Sequence, residues 1–132
     1  AQADLESATR ADSSSPVPWM KLARFHLESL LSVESGLAAA QRAVALAPAN
    51  GEARDLLGWA WYLNRHGDEA LAELRQAIAL APRTASAHYH LGVVAAQAGD
   101  RETARRAWQR AVDLDTTGDV EGRAARALSG LR

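Results

Sequence analysis

The residues whose types could support chemistry in this sequence are four histidines, a run of serines and scattered carboxylates. His88 and His90 are the closest pair of histidines. Residues two apart on a helix project about 200° from each other, so this pair cannot bind one metal ion together. His26 and His66 are isolated, and the chain has no cysteine for a thiolate site or a disulfide. We therefore expect no metal site.

The serines and aspartates do not form a recognisable catalytic pattern. A serine nucleophile needs an adjacent base and a group that stabilises the oxyanion, but Ser13–Ser15 has no histidine nearby in sequence and reads as a linker. Asp113 and Asp115 lie at the end of a predicted helix. Gly58 and Gly92 fall inside predicted helices and do not belong to a phosphate-binding loop. We expect no catalytic residue and no cofactor.

Charge and hydropathy narrow the classes of partner. The formal net charge is −1, and acidic and basic residues interleave, which argues against a nucleic-acid partner. No apolar run approaches the roughly 20 residues of a transmembrane helix, so we expect no membrane insertion. The first residues do not resemble a signal peptide, and cytoplasmic and periplasmic locations both stay open. Because the sequence does not begin with Met, we interpret it as a mature form or as a fragment of a longer repeat protein.

The helices that must position these residues recur at a fixed distance. Alanine, which has the best helix propensity, is the commonest residue, and the prolines fall at segment edges, so an all-α fold is predicted. Several residue sets are spaced 34 apart: Ala43, Ala77 and Ala111; Leu46, Leu80 and Leu114; Leu57 and Leu91; Gly58 and Gly92. A fixed period of this length is typical of stacked helical hairpins.

The period divides the chain into units within a single domain, residues 1–132. We predict a half-repeat helix (1–15), three helical hairpins (17–48, 51–82 and 85–116) and a C-terminal capping helix (119–131). The distance from Leu22 to Leu57 is 35 residues, so the first hairpin has one extra residue, which we place in the turn around 32–36.

The turns of the second and third units contain glycine and aspartate at matching places. Gly67 and Gly99 are expected to take the left-handed conformation at the end of a helix. Asp68 or Asp100 is then positioned to cap the helix that follows.

With this period in hand, the chain resembles the tetratricopeptide repeat family. The family pattern is W-x2-L-G-x2-Y, then A-x3-F, then P, over 34 residues. The three units match it as follows: Trp19, Leu22, Ala23, His26, Gly36, Ala40 and Pro48; Arg54, Leu57, Gly58, Trp61, Ala70, Leu74 and Pro82; His88, Leu91, Gly92, Ala95, Ala104, Trp108 and Thr116. The third unit departs from the pattern at Ala95 and at Thr116.

The resemblance implies a right-handed α-solenoid of antiparallel helix hairpins with a concave groove lined by the first helices. Gly58 and Gly92 then allow the paired helix of the same hairpin to approach closely. Trp61, Leu74 and Trp108 are expected to fill the space between hairpins, and Trp19 to lie in the core.

Residues between these core positions are expected to face the groove. The predicted partner-binding residues are Met20, Arg24, Leu27, Asp55, Trp59, Tyr62, Tyr89 and Val93, with Ala96 beside them. Trp59, Tyr62 and Tyr89 would form an aromatic patch, and aromatic residues often dominate interface energetics. Packing of these three rings against neighbouring helices is the alternative.

The resemblance implies a protein or peptide partner bound in the groove, and a scaffold or adaptor role. Some family members clamp a carboxylate terminus with Lys, Asn and Arg. Here only Arg24 suits an anion and Asp55 opposes one, so an apolar or mixed segment, such as a helix laid in the groove, fits better. Self-assembly through the solenoid ends and a role as the accessory domain of a larger enzyme or envelope complex are the alternatives.

Overall fold

Eight α-helices make up the part of the chain that the computed structural model describes, residues 2–11, 14–29, 32–115 and 119–131, where no strand occurs. Their bounds are α1 Gln2–Ala11, α2 Pro16–Ser29, α3 Val33–Leu46, α4 Gly51–Leu63, α5 Gly67–Leu80, α6 Ala85–Gln97, α7 Arg101–Leu114 and α8 Asp119–Gly130. The predicted all-α solenoid is confirmed. None of these described helices has the length and apolar character to cross a membrane.

The helices pack as a chain of hairpins. Helices α2 and α3, α4 and α5, and α6 and α7 form the closest pairs, and each hairpin stacks on the next. The first helices α2, α4 and α6 also contact one another in series, and α8 contacts both α6 and α7. Helix α8 begins 34 residues after α6, so it takes the place that the first helix of a further hairpin would have.

Side-chain caps explain where two helices begin. The Asn50 side chain accepts a hydrogen bond from the Ala53 amide at the start of α4 (3.1 Å), and Asp100 accepts one from the Thr103 amide at the start of α7 (3.1 Å). The expectation for Asp100 is thus confirmed. Asp68 lies inside the first turn of α5, where its charge favours the positive end of the helix but caps nothing.

The expected role of Gly67 in its turn is wrong. Gly67 is the first residue of α5, and Arg65 takes the left-handed conformation instead, with φ of 68°. Gly99 stands 34 residues later with φ of 87°, as expected. Because a β-carbon is disfavoured in this conformation, Arg65 holds a strained backbone where the next repeat has glycine.

The extra residue of the first hairpin is not in the turn around residues 32–36. Helix α3 already begins at Val33, and Gly36 packs inside it against Leu27. Helix α2 instead has 14 residues, one more than α4 or α6. The insertion therefore lengthens a helix, because another helical residue preserves the backbone hydrogen bonding that a longer loop would lose.

Small residues bring the two helices of each hairpin together, as expected. A β-carbon added at Gly58 would lie 2.6 Å from Leu74 Cγ, and one at Gly92 would lie 2.3 Å from Trp108 Nε1. Leu74 and Trp108 are buried, while Trp19 and Trp61 are partly buried against the core. Alanines such as Ala70 supply most of the remaining buried apolar residues in the described part of the chain.

Candidate functional site

The first helices form a cleft of about 300 Å³, lined from α2 across α4 and α6 to α8. Each hairpin presents the same face of its first helix here, because the hairpins repeat with one spacing. The lining residues are Arg24, Leu27, Glu28, Glu52, Asp55, Leu56, Trp59, Thr84, Ser86, His90 and Arg123. We call this cleft the inner groove.

A buried carboxylate lies at the centre of the inner groove. Asp55 is 5% exposed and accepts two hydrogen bonds, one from the Ser86 hydroxyl to Oδ2 (2.7 Å) and one from His90 Nδ1 to Oδ1 (2.7 Å). A buried charge without such partners would be costly. The pair of bonds thus ties α4 to α6 and fixes the orientation of the His90 ring.

The orientation of His90 leaves its second ring nitrogen without a hydrogen-bond partner among the described residues. Nδ1 carries the proton that Asp55 accepts, and Nε2 forms no hydrogen bond with a residue in the described ranges. The ring of Trp59 stacks on His90, with centroids 4.2 Å apart and an interplanar angle of 20°. The ring is therefore held by a hydrogen bond at Nδ1 and by the stacked indole of Trp59.

Ser86, His90 and Asp55 are the residue types of a hydrolase triad, but their arrangement differs. In such a triad the serine contacts Nε2 and the carboxylate contacts Nδ1 of the histidine. Here Ser86 donates its proton to Asp55 and lies 3.5 Å from Nδ1, the nitrogen that Asp55 already occupies. The cluster therefore lacks the serine–Nε2 contact of a hydrolase triad, and its hydrogen bonds hold the ring.

The rim of the inner groove is charged with both signs. Arg24 pairs with Glu52 across α2 and α4, and the Arg123 guanidinium lies 5.3 Å from the centroid of the Tyr89 ring. Glu28 is exposed beside them. Both arginines of the groove thus contact neighbouring side chains.

Some of the predicted groove residues contribute to the core instead. Met20 is 6% exposed, and its sulfur lies 3.9 Å from the side-chain nitrogen of Asn50. Leu27 lines the groove floor but is buried under α3, where it meets Gly36. Asp55 is buried and bonded, so it is not the free charge that the sequence pattern indicated.

The predicted aromatic patch is divided. Trp59 stacks on Tyr62, with ring centroids 5.0 Å apart, and lies in the inner groove, whereas Tyr62 lines a separate cleft of about 430 Å³ with Arg65 and Gly67. Tyr89 packs against the cluster that includes α7 and α8, together with Val93 and Ala96. His90 lies between the two parts and contacts both Trp59 and Tyr89.

The sequence pattern did not identify several residues that line the inner groove: His90, Ser86, Glu28, Glu52, Thr84 and Arg123. A signal for His90 exists, because Leu56 stands 34 residues earlier at a buried position. A histidine in place of a buried leucine indicates a polar partner on the neighbouring helix.

The expected absence of a metal site rested on sequence spacing, and no grouping of three or more candidate metal ligands occurs in the described part of the chain.

Comparison with known proteins identifies the repeats and the fold. Family models described as "TPR repeat" and "Tetratricopeptide repeat" match residues 68–99 and 85–117. TTC0263, a thermophilic TPR protein of Thermus thermophilus, is 25% identical, with a TM-score of 0.83 over 98% of this chain and 70% of its own. No curated protein matches the chain by sequence.

Two further solved structures share the fold. YrrB, described as a TPR protein with an unusual peptide-binding site, is 21% identical over 99% of this chain and 66% of its own, with a TM-score of 0.78. The first TPR of Spaghetti (RPAP3), bound to the HSP90 peptide SRMEEVD, is 14% identical over 91% of this chain and 92% of its own, with a TM-score of 0.77. The repeat matches and the shared fold together show that this chain belongs to the tetratricopeptide repeat family.

Proposed function

We propose that this chain is a protein-interaction module that binds a segment of a partner protein in the inner groove. The observation that carries the proposal is the fixed His90 ring, with Nε2 unpaired among the described residues in a cleft of about 300 Å³. A preformed cleft with a few oriented polar groups and an aromatic wall is typical of a binding site. Peptide-bound and peptide-binding relatives of the same fold support the class of function.

The chemistry of the inner groove favours a segment that is apolar or of mixed polarity. Three carboxylates line it, from Glu28, Glu52 and Asp55, against the guanidinium groups of Arg24 and Arg123, and this excess of negative charge disfavours an acidic tail such as the one in the RPAP3 complex. Trp59 offers an apolar surface, and His90 Nε2 offers one hydrogen-bonding position. We infer that a helix or an extended segment with apolar side chains contacts Trp59, while one polar group of that segment bonds to His90.

The test compares partner capture by the parent chain and by groove variants. Trp59→Ala removes the aromatic surface, and Glu28→Lys reverses an exposed rim charge without touching the core. Proteins from the source organism captured on the parent chain should be depleted on either variant, as measured by quantitative mass spectrometry. Equal recovery on both folded variants refutes binding in the inner groove.

A matched control comes from the opposite side of the solenoid. Ala72 is exposed on α5, away from the inner groove, and Ala72→Glu places a new charge on that exposed surface. This variant should capture the same partners as the parent chain. Self-association through the solenoid ends is the alternative from the sequence, and the mass of the chain in dilute solution tests it directly.

A further inference from the structure

A third cleft, of about 290 Å³, opens on the side of the second helices, away from the inner groove. Its floor is apolar and comes from three helices: Ile78 of α5, Leu91 of α6 and Ala107 of α7. Arg106 and Arg110 form its rim. We call this cleft the outer slot.

The preceding repeat shows what the outer slot lacks. The residues 34 positions before Ala107 and His88 are Glu73 and Arg54, and these form a salt bridge of 2.9 Å with side chains only about one-fifth exposed. Arg54 thereby covers the equivalent surface between the first and second hairpins. The same position of the solenoid is thus closed in one repeat and open in the next.

Two residue differences from the preceding repeat leave the slot open. Alanine at position 107 removes the carboxylate that Glu73 supplies. His88 keeps the backbone contact of its counterpart, since its Nε2 donates to the Pro82 carbonyl (2.9 Å) as Arg54 Nε does to Pro48 (2.9 Å), but it is too short to cross the slot. The apolar floor between α5 and α7 is left uncovered as a result.

The rim of the outer slot is also more positively charged than the equivalent surface of the preceding repeat. Arg106 and Arg110 replace Ala72 and Gln76, which adds two positive charges around the open slot. Arg110 forms no ion pair within the described ranges, and Arg106 lies 3.8 Å from Glu102, which is itself paired with Arg105. Within the described part of the chain, no carboxylate lines the slot.

From this contrast we propose that the outer slot is a second binding surface, which takes an acidic segment of a partner protein. An apolar side chain of the segment contacts Ile78, Leu91 and Ala107, and its aspartate or glutamate residues pair with Arg106 and Arg110. Complementary charge of this kind orients a bound segment and raises its association rate. The apolar floor favours a peptide over the phosphates of a nucleic acid, which offer no apolar group to cover it.

The probe is a phage library of random linear peptides, selected on the parent chain and counter-selected on Ala107→Glu. That variant restores the carboxylate of the preceding repeat and fills the slot. We expect the surviving peptides to carry Asp or Glu beside Leu, Ile or Phe. One of them, synthesised with a fluorophore, should bind the Ala107→Glu variant about tenfold or more weakly, as measured by anisotropy.

A second variant removes the charge without filling the slot. R106A/R110Q installs the residues of the preceding repeat at two exposed positions, so it preserves the fold even where Ala107→Glu does not. It should also weaken binding, and added salt should weaken binding to the parent chain more than to this variant. The reciprocal change A72R/Q76R places the same arginines around the closed slot and should create no further binding.

Several results overturn the proposal. The proposal fails if no recovered peptide binds the parent chain more tightly than the variants, or if the enriched peptides are basic. It also fails if Trp59→Ala weakens peptide binding and R106A/R110Q does not. Binding of a labelled oligonucleotide that depends on Arg106 and Arg110 would assign the slot to nucleic acid, and self-association that Ala107→Glu removes would assign it to a second copy. Because the outer slot and the inner groove share no lining residue, failure of one proposal leaves the other intact.

Discussion

Replacement of Gly92 by alanine should destabilise the protein through a single contact inside the third hairpin. The new β-carbon would lie 2.3 Å from Trp108 Nε1 and 2.4 Å from its Cδ1, closer than non-bonded atoms approach. Trp108 is 6% exposed, and its indole N–H donates to the Tyr89 carbonyl (3.1 Å), so the ring cannot move without loss of that bond.

The magnitude follows from three effects on the free energy of unfolding. Overpacking of a core costs about 1–3 kcal/mol, and loss of the indole hydrogen bond costs about 0.5–1.5 kcal/mol. Alanine in place of glycine within a helix returns about 1 kcal/mol. The net destabilisation is therefore about 2 kcal/mol, which for a chain of this size lowers the melting temperature by about 8 °C.

Urea and thermal unfolding, followed by far-ultraviolet circular dichroism, measure this change. The control is Gly122→Ala in α8, where an added β-carbon meets no atom within 4 Å among the described residues. The same substitution there should stabilise the protein by up to about 1 kcal/mol through helix propensity alone. If Gly92→Ala unfolds at or above the temperature of the parent chain, the close contact does not limit the packing of this hairpin and the reasoning fails.

Three other changes test separate features. Arg65→Gly should raise the free energy of unfolding by about 1 kcal/mol, because glycine adopts a positive φ without strain; an unchanged urea midpoint would contradict this. The Thr103 hydroxyl, and then its amide, hold the pKa of Asp100 below its usual value of 3.8. Because the folded-state pKa is lowered, the stability that this cap adds is present above pH 3.8 and lost as the pH falls through the folded-state pKa. Thr103→Val should therefore raise that pKa in a carboxyl NMR titration, and a titration curve that does not move would count against the hydroxyl contact. His90→Leu should cost about 2 kcal/mol, because buried Asp55 loses a charge-assisted hydrogen bond; unfolding at the parent's urea midpoint would show that the bond is dispensable.

The repeat architecture was predictable because it depends on spacing alone. Hairpins that stack in one dimension need the same small and large residues at the same place in every unit. The register of the repeats was therefore predictable from Gly58, Gly92, Leu74 and Trp108. In the structure these residues form the close contacts within the second and third hairpins.

Local backbone conformation was less predictable. Arg65 lies in the turn before α5 and Gly67 is the first residue of that helix, although propensity favours glycine for the left-handed position. The register of the two flanking helices decides instead, because it leaves residue 65 at the place that Gly99 has in the next repeat. Packing of α4 against α5 within the hairpin thus outweighs a local preference of about 1 kcal/mol.

The interior of the inner groove could not be predicted from helical phase. Phase gives the direction in which Asp55 leaves α4, but not the distance to His90 and Ser86 on α6, which depends on how closely the helices pack. The same uncertainty affected Met20, whose phase indicated the groove and whose side chain is buried. Phase predicts faces of helices, whereas side-chain pairs between helices need coordinates.

The alanines that fill the interfaces between these helices bear on how the protein tolerates genetic change. Positions such as Ala40, Ala70 and Ala104 have no accessible surface. Every single-nucleotide missense change of an alanine codon gives glycine or a residue larger than alanine, so most random missense changes at these positions enlarge a close-packed site. Missense changes in this solenoid are consequently harmful mainly because they introduce larger side chains. In a core built from leucine and phenylalanine, they are harmful mainly because they leave cavities.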